Sequence, residues 1–340
     1  MPLNRGERMK RKSVGIILAV SLTAVIGFLI YSHFFGNFEY NFFAMDTYNS
    51  LKISGFGSAG IADEIESLVY DLDVNILSRQ SESSALSALN RNHGGPLGDD
   101  LRGYLDTLLD VYSKSGGRFD FTLGTVSDLW GFGKEGKVPD TGELNEALSL
   151  TGADKIKIKD GELTIPEGAV IDFGSAGKGI GLDVIRDTIL KKSRISRAVV
   201  SLGGSVLTYG KKEFRVAVND PFESGTMAVL TLPSCCVSTS GSYERFFEQD
   251  GRRYHHILDP ETGYPVDNGL VSVTVVSDSG ILSDALSTAC FACGLDKGME
   301  LARTYGCDAL FIDSDKNVYI TEGLEGKTEI TKDGYILKNE

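Results

Sequence analysis

Residues 170–179 read Val170-Ile-Asp-Phe-Gly-Ser-Ala-Gly-Lys-Gly179, an apolar run that breaks into a glycine-rich turn bearing one cation. The run predicts a strand over Val170–Phe173, and Leu182–Lys192 predicts the helix that follows the turn. A nucleoside triphosphate loop requires glycine, four residues, then Gly-Lys-Ser/Thr. Asp172 stands in the first glycine's place and Gly179 follows Lys178, so this is not such a loop. A strand, a glycine turn and a helix start still aim backbone N–H groups and the compact Lys178 ammonium at an anion. A tight turn that needs glycine only for its dihedrals fits the same residues. Leu202-Gly-Gly-Ser205 is a weaker case of the same kind.

The flanking segments set the fold class. Thr47–Ile53 predicts a strand, and Ala59–Leu77 an amphipathic helix with Ile61, Ile65, Leu68, Val69, Leu72 and Ile76 at helical spacing. Asp100–Ser115 repeats that pattern until Gly116-Gly117 stop it. A shorter helix is expected at Glu143–Leu150. Lys155–Lys159 and Glu162–Ile165 flank Asp160-Gly161, a strong hairpin signal. Strands are expected at Ala198–Leu202, Val206–Tyr209, Phe214–Val218 and Ala228–Leu232. A second hairpin turns at Asp250-Gly251, with Tyr254–Leu258 as its return strand, and Val271–Val276 follows. Helices at Ser283–Cys293 and Lys297–Tyr305 and strands at Ala309–Ile312 and Val318–Thr321 close the chain. Mixed order with many hairpins predicts an α+β fold with mixed and antiparallel sheets and packed helices, not a doubly wound sheet. No internal repeat or interdomain linker interrupts it, so residues 46–335 are expected to form one domain behind a tether at 36–45.

The first 35 residues stand apart. Arg5, Arg8, Lys10, Arg11 and Lys12 precede an uncharged, mostly aliphatic run from Val14 to Tyr31. Such a run spans most of a hydrocarbon core about 30 Å thick. The basic flank predicts a cytoplasmic N-terminus and an exported remainder, placing the chain in the cytoplasmic membrane as a single-pass protein. A cleaved signal peptide competes with this. Tyr31, Ser32, His33 and Phe34 offer no small-x-small cleavage site, so an uncleaved transmembrane helix is favoured. Removing the +4 of residues 1–12 from the total of −13 leaves −17 on the exported part. That charge disfavours nucleic acid and anionic lipid headgroups. The five cysteines, with Cys235 and Cys236 adjacent, are too few and too clustered for a disulfide framework. Cys290 and Cys293 could be a redox pair or half a zinc site. With no second Cys/His pair at zinc spacing, they are better explained as small core residues.

Two further segments carry oxygen and nitrogen groups suited to chemistry. Asp284 and Thr288, at i and i+4, place a carboxylate and a hydroxyl on one helix face, hard donors of the sort Mg²⁺ prefers. An acidic residue favoured by the helix dipole explains Asp284 equally well in isolation. In His256-Ile-Leu-Asp-Pro-Glu-Thr-Gly263 a histidine leaves a strand into a Pro/Gly turn, and alternation puts Tyr254, His256 and Leu258 on one face. A histidine near its ordinary pKa of about 6.5 can accept a hydroxyl proton at neutral pH.

Taken in order, these segments resemble the FAD:protein FMN transferase (ApbE) family. The resemblance is carried by Met45-Asp-Thr-Tyr48, Ser84-Ala-Leu-Ser-Ala-Leu-Asn90, Gly117-Arg-Phe-Asp-Phe-Thr-Leu-Gly124 and Leu129-Trp-Gly-Phe-Gly133. It continues through Ile171–Gly179, Ser201-Leu-Gly-Gly204, Thr239-Ser-Gly241, His256–Pro265 and Asp284-Ala-Leu-Ser-Thr288, covering roughly residues 43–325. It implies a single α+β domain that takes FAD as substrate, lets a threonine of a partner flavoprotein attack the FMN phosphorus, and releases AMP. It also implies Mg²⁺ at Ser175 (through its carbonyl), Asp284 and Thr288. Met45, Arg118, Phe119, Asp120, Asp172, Lys178 and Leu258 are implied around FAD. His256 is the candidate base, with Asp259 or Asp284 nearby. Exported redox subunits, such as those of Rnf or sodium-pumping quinone reductase complexes, are the implied acceptors. Asp46, Gln80, Arg118, Ser201 and Ser205 depart from the family's usual residues, Gln80 where many members carry a flavin-stacking tyrosine. An Mg²⁺-dependent FAD pyrophosphatase and an exported FAD-binding protein without turnover are the alternatives.

Overall fold

The computed structural model describes residues 16–27 and 37–338. Residues 16–27 form helix α1, about 18 Å long at 1.5 Å per residue. The rest of the apolar run read as a membrane anchor, and the whole basic flank, lie outside the described residues. No described helix is long and apolar enough to cross a membrane.

The expected tether is instead a strand. β1 (Asn37–Ala44) pairs antiparallel with β2 (Thr47–Gly55) along its full length. Phe38, Tyr40 and Phe42 alternate onto one face and stack along it, and that period of two was the signal for a strand. Next come α2 (Ser58–Asp71), with a π-helical extension over Leu72–Leu77, α3 (Ala85–Arg91), β3 (Gly94–Pro96) and α4 (Asp99–Lys114). Then follow α5 (Gly124–Trp130), α6 (Thr141–Leu150), β4 (Lys157–Lys159), β5 (Glu162–Thr164) and α7 (Gly177–Val184). The middle of the chain supplies β6 (Ile195–Leu202), β7 (Ser205–Gly210), β8 (Phe214–Asn219), β9 (Thr226–Leu232) and β10 (Cys236–Gly241). The remainder is β11 (Phe246–Gln249), β12 (Arg252–His255), β13 (Leu270–Ser277), α8 (Gly280–Cys293), α9 (Leu295–Thr304), β14 (Asp308–Asp313), β15 (Asn317–Ile320), β16 (Thr328–Ile330) and β17 (Ile336–Lys338).

The frame is a nine-stranded sheet in the order β1-β2-β6-β7-β10-β13-β14-β15-β17, antiparallel except for the β15–β17 pair. Strand β14 shows why two layers cover it. Ala309 and Phe311 join the core under the helices, while Leu310 and Ile312 join a second core with Phe214, Leu230 and Val237. That second core is roofed by the small sheet β16-β9-β8. Both expected hairpins are present, and their tips Asp160-Gly161 and Asp250-Gly251 take the paired positive φ of a two-residue turn.

Two expectations about the opening stretch need correction. Val170–Phe173 is no strand and keeps only a single bridge, Val170 to Leu123. The Asn90 side chain replaces a partner strand, accepting from Ile171 N at 2.9 Å and donating to Ile171 O at 2.9 Å. The glycine turn also ends sooner than expected, because Gly177, Lys178 and Gly179 form the first turn of α7 rather than a loop ahead of Leu182. Packing overrides glycine's poor helix propensity here. A Cβ on Gly179 would lie 2.1 Å from Gly280 O, and one on Gly280 would lie 2.2 Å from Gly179 O. Helices α7 and α8 cross backbone to backbone.

Candidate active site

That crossing builds the site. Asp284, on α8 and only 3% exposed, accepts from Gly179 N at 2.9 Å and from Ser205 Oγ, on β7, at 3.1 Å. Lys178 Nζ stands 4.0 Å from Asp284 Oδ1. The lysine stem lies against the β6–β7 turn, where a Cβ on Gly203 would be 3.4 Å from Lys178 Cδ. Asp183, one helical turn after Gly179, caps the start of α8. Its carboxylate accepts from Gly280 N (2.7 Å), Ile281 N (3.0 Å) and Ser279 Oγ (3.1 Å). The Arg186 guanidinium lies 2.9 Å from it. One turn beyond Asp284, Thr288 Oγ1 lies 3.0 Å from Ser240 Oγ, which also meets Ser287 Oγ at 2.8 Å. Ser238 and Ser283 pair at 2.9 Å. A ladder of hydroxyls thus fixes the register of α8 on β10.

Ser175 lies in the turn just before Ala176, the cap of α7. Asp284, Thr288 and the turn at Ser175 offer one carboxylate and neutral oxygens. Among the described residues no three His, Cys, Asp or Glu side chains converge on one point. Such a donor set fits Mg²⁺, which keeps several waters and shares its coordination with substrate phosphate.

His256 follows the end of β12, just beyond the strand that was expected to carry it. Its backbone N donates to Arg245 O at 3.0 Å, and its Nδ1 lies 3.3 Å from the same carbonyl. Burial, with Arg245 and Lys178 nearby, pushes its imidazole down to about 3. The ring is therefore neutral at neutral pH, but it is a weaker base than the ordinary pKa of about 6.5 expected from the sequence would make it. His255, which alternation put on the opposite face, is a core residue edge-on to Phe291 and 3.0 Å from Val266 O.

The other residues expected around FAD are held in separate local networks. Met45 and Asp46 occupy the β1–β2 turn with φ of 54° and 55°, and Met45 N donates to Asp73 Oδ2 at 2.8 Å. An aspartate tolerates this left-handed position. Asp172 accepts from Arg79 Nε at 2.8 Å, and Arg79 grips Asp128 with its other two nitrogens. Arg118 reaches across to Asp259 at 3.0 Å and Glu261 at 2.9 Å. It thereby clamps the turn that carries Leu258, whose far end is held by Trp130 Nε1 donating to Gly263 O at 2.8 Å. Phe119 and Leu258 are 2% and 6% exposed. Phe119 packs in the main core beside Phe121, and Leu258 joins the cluster around Trp130. Asp120 accepts from Thr122 N and Oγ1, and burial raises its carboxyl.

Sequence reasoning quoted Ser205 and Ser240 within motifs without giving them a role, and it missed Arg79 and above all Glu244. The surrounding protein pushes the Glu244 carboxyl up; Lys178 and Arg245 pull it down, and Asp284 raises it. A Cβ on Gly204 would lie 3.3 Å from Glu244 Oε1, so Glu244 lies against the same β6–β7 turn as the Lys178 stem. Its only signal was its place three residues beyond Thr239-Ser-Gly241.

An ammonium and a buried carboxylate beside oxygen donors suit phosphate chemistry on an α+β scaffold. The sequence profile of the ApbE family matches residues 45–311, and the chain belongs to that family. Among its relatives, the FAD:protein FMN transferase of Treponema pallidum is 34% identical over 303 residues, covering 81% of this chain and 83% of that protein. The Escherichia coli K12 FAD:protein FMN transferase is 28% identical over 82% of this chain and 84% of its own. The crystal structure of the ApbE protein of Thermotoga maritima superposes with a TM-score of 0.80 at 30% identity, covering 86% of this chain and 99% of that one. The flavin transferase ApbE of Vibrio cholerae does so at 0.77 and 26%, with the same coverage.

Proposed function

We infer that this chain is an FAD:protein FMN transferase, moving FMN from FAD to a partner flavoprotein. The observation that carries this is the Lys178–Asp284 pair at the start of α7, in a chain of this family. The acceptor group is a threonine hydroxyl. Its oxygen bonds to the FMN phosphorus as the pyrophosphate P–O bond breaks, and AMP leaves with the bridging oxygen. The Lys178 ammonium meets the charge that develops on the phosphate oxygens. Asp284, Thr288 and the Ser175 carbonyl would hold Mg²⁺, which when bound neutralises charge on both sides of the pyrophosphate. His256, neutral and beside Lys178, receives the hydroxyl proton. Met45, Arg118, Asp120, Asp172 and Leu258 surround the dinucleotide. Phe119 acts from within the core.

The test is incubation with FAD, Mg²⁺ and a candidate acceptor. A covalent fluorescent flavin on a threonine of that acceptor, found by mass spectrometry, supports transfer. Free FMN and AMP alone would replace it with hydrolysis, and bound FAD indifferent to metal would replace both with simple binding. The run from Val14 to Tyr31 is proposed to anchor the chain in the cytoplasmic membrane, with residues 46–335 as a catalytic domain on the far side. Exported subunits of Rnf or sodium-pumping quinone reductase type are the proposed acceptors.

A further inference from the structure

Arg79 has no role in the chemistry above, yet its guanidinium is bonded along the whole fork. Nε donates to Asp172 Oδ2 at 2.8 Å, while Nη1 and Nη2 donate to Asp128 Oδ2 and Oδ1 at 2.8 and 2.9 Å. The arginine side chain is 15% exposed, against 29% for Asp172 and 51% for Asp128. One planar group thus joins the exit of the π-helical segment, helix α5 and the residues leading into the glycine turn. A lysine, with one compact ammonium, could not make the two-pronged grip on Asp128 and the third bond together. Asp172 needs such a tie, because its segment has only the Val170–Leu123 bridge in place of a partner strand. Its other oxygen, Oδ1, accepts from Gly174 N at 2.8 Å, so the orientation of this carboxylate and the shape of the turn are set together.

The stretch that presents Arg79 is itself braced. Leu72–Leu77 is π-helical, a rare geometry that recurs at functional sites, and Ser78 N closes it by donating to Asp73 O at 3.0 Å. Two of its carbonyls are bonded from downstream, Val74 O by Ser83 Oγ at 3.1 Å and Ile76 O by Ser84 Oγ at 3.0 Å. Ser78 Oγ accepts from Gln80 N and Ser81 N, both at 3.2 Å, which ties the backbone on either side of Arg79. The same segment reaches the β1–β2 turn, where Asp73 accepts from Met45 N at 2.8 Å. Met45 and Asp172, both assigned to FAD, are therefore held from one short stretch of chain. A carboxylate accepts about four hydrogen bonds, so Asp172 keeps lone pairs for the donor groups of a ligand. We propose that Arg79 is a positioning residue for FAD: its fork fixes the Asp172 carboxylate, whose remaining lone pairs accept from O–H or N–H groups of the dinucleotide. This rests on the placing of FAD at Asp172 in the function proposed above.

The experiment uses the full chain and reads FAD affinity by flavin fluorescence without metal, and KM for FAD in the transfer assay with Mg²⁺. Arg79→Ala should weaken FAD binding by at least about tenfold and raise KM for FAD alike, while kcat falls by no more than about threefold. Arg79→Lys keeps the charge without the fork, and its FAD affinity should lie within about threefold of that of Arg79→Ala. Added to Asp172→Ala, Arg79→Ala should change FAD affinity by less than about twofold, since its effect passes through that carboxylate. Thermal melting verifies that each variant is folded, and Arg79→Lys carries the comparison with Asp172→Ala if Arg79→Ala does not fold. Unchanged FAD affinity in Arg79→Ala, full affinity in Arg79→Lys, or losses that multiply in the double variant would each overturn the positioning role while FAD binding stands. Failure of the unaltered chain to bind FAD removes the assigned site itself, and the role of Arg79 with it.

Discussion

Asp284 is the carboxylate on which the proposed chemistry rests. It is buried, yet its partners are a backbone N–H, a hydroxyl and a lysine at 4.0 Å, so it retains lone pairs for a cation. Asp284→Asn can still accept from Gly179 N while its amide donates to Ser205 Oγ, but it loses the charge, and FMN transfer should fall by at least about 100-fold while the fold persists. Steady-state transfer at saturating FAD, alongside a melting curve, checks both halves. A chelator should stop transfer by the unaltered chain, and added Mg²⁺ should restore it. His256 has a pH signature of its own. Its imidazole is held near 3 when folded and titrates near 6.5 when unfolded, so between those values only the unfolded chain is protonated. Stability is thus full above about pH 6.5 and declines as pH falls below it. In His256→Asn that part of the slope should vanish from urea unfolding measured at pH 5 and pH 7.

At the scale of elements, the α7–α8 crossing decides whether these groups meet. Gly179→Ala places a methyl 2.1 Å from Gly280 O and forces the helices apart, breaking the Gly179–Asp284 bond. A loss of about 3 kcal/mol in urea unfolding is expected, together with loss of transfer. Gly177 is the control, because a Cβ there meets nothing within 4 Å. Gly177→Ala should be neutral or stabilise by up to about 1 kcal/mol. Asp183→Ala removes the cap from α8 at a cost of about 2 kcal/mol, and should lower activity through the misplaced Asp284. The glycines and Asp183 were all visible in the sequence, but the pairing of Asp183 with Gly280, 97 residues away, was not. Local pattern carries no information about which helix a glycine faces. Asn90 was hidden for the same reason: a side chain standing in for a partner strand leaves no periodic trace.

For the whole molecule, the proposed anchor and the catalytic domain make separable predictions. Removing residues 1–36 should release the protein from membranes and preserve FMN transfer, which fractionation and the same assay would show. Removing residues 1–45 should cost folding as well, since β1 covers β2 and contributes Phe42 to a core. Hairpins at Asp160-Gly161 and Asp250-Gly251, amphipathic helices and β-rich runs in mixed order were enough to read an α+β domain, and ordered short motifs were enough to read the family. Those features are local, set by turn dihedrals, side-chain period and chemical type. The nine-strand order, the helix start at Gly177 and the meeting of Lys178, Glu244 and Asp284 were decided by tertiary structure alone. They depend on which buried surfaces fit against one another, and residues as far apart in the chain as Gly179 and Asp284 come into contact only once the core has packed.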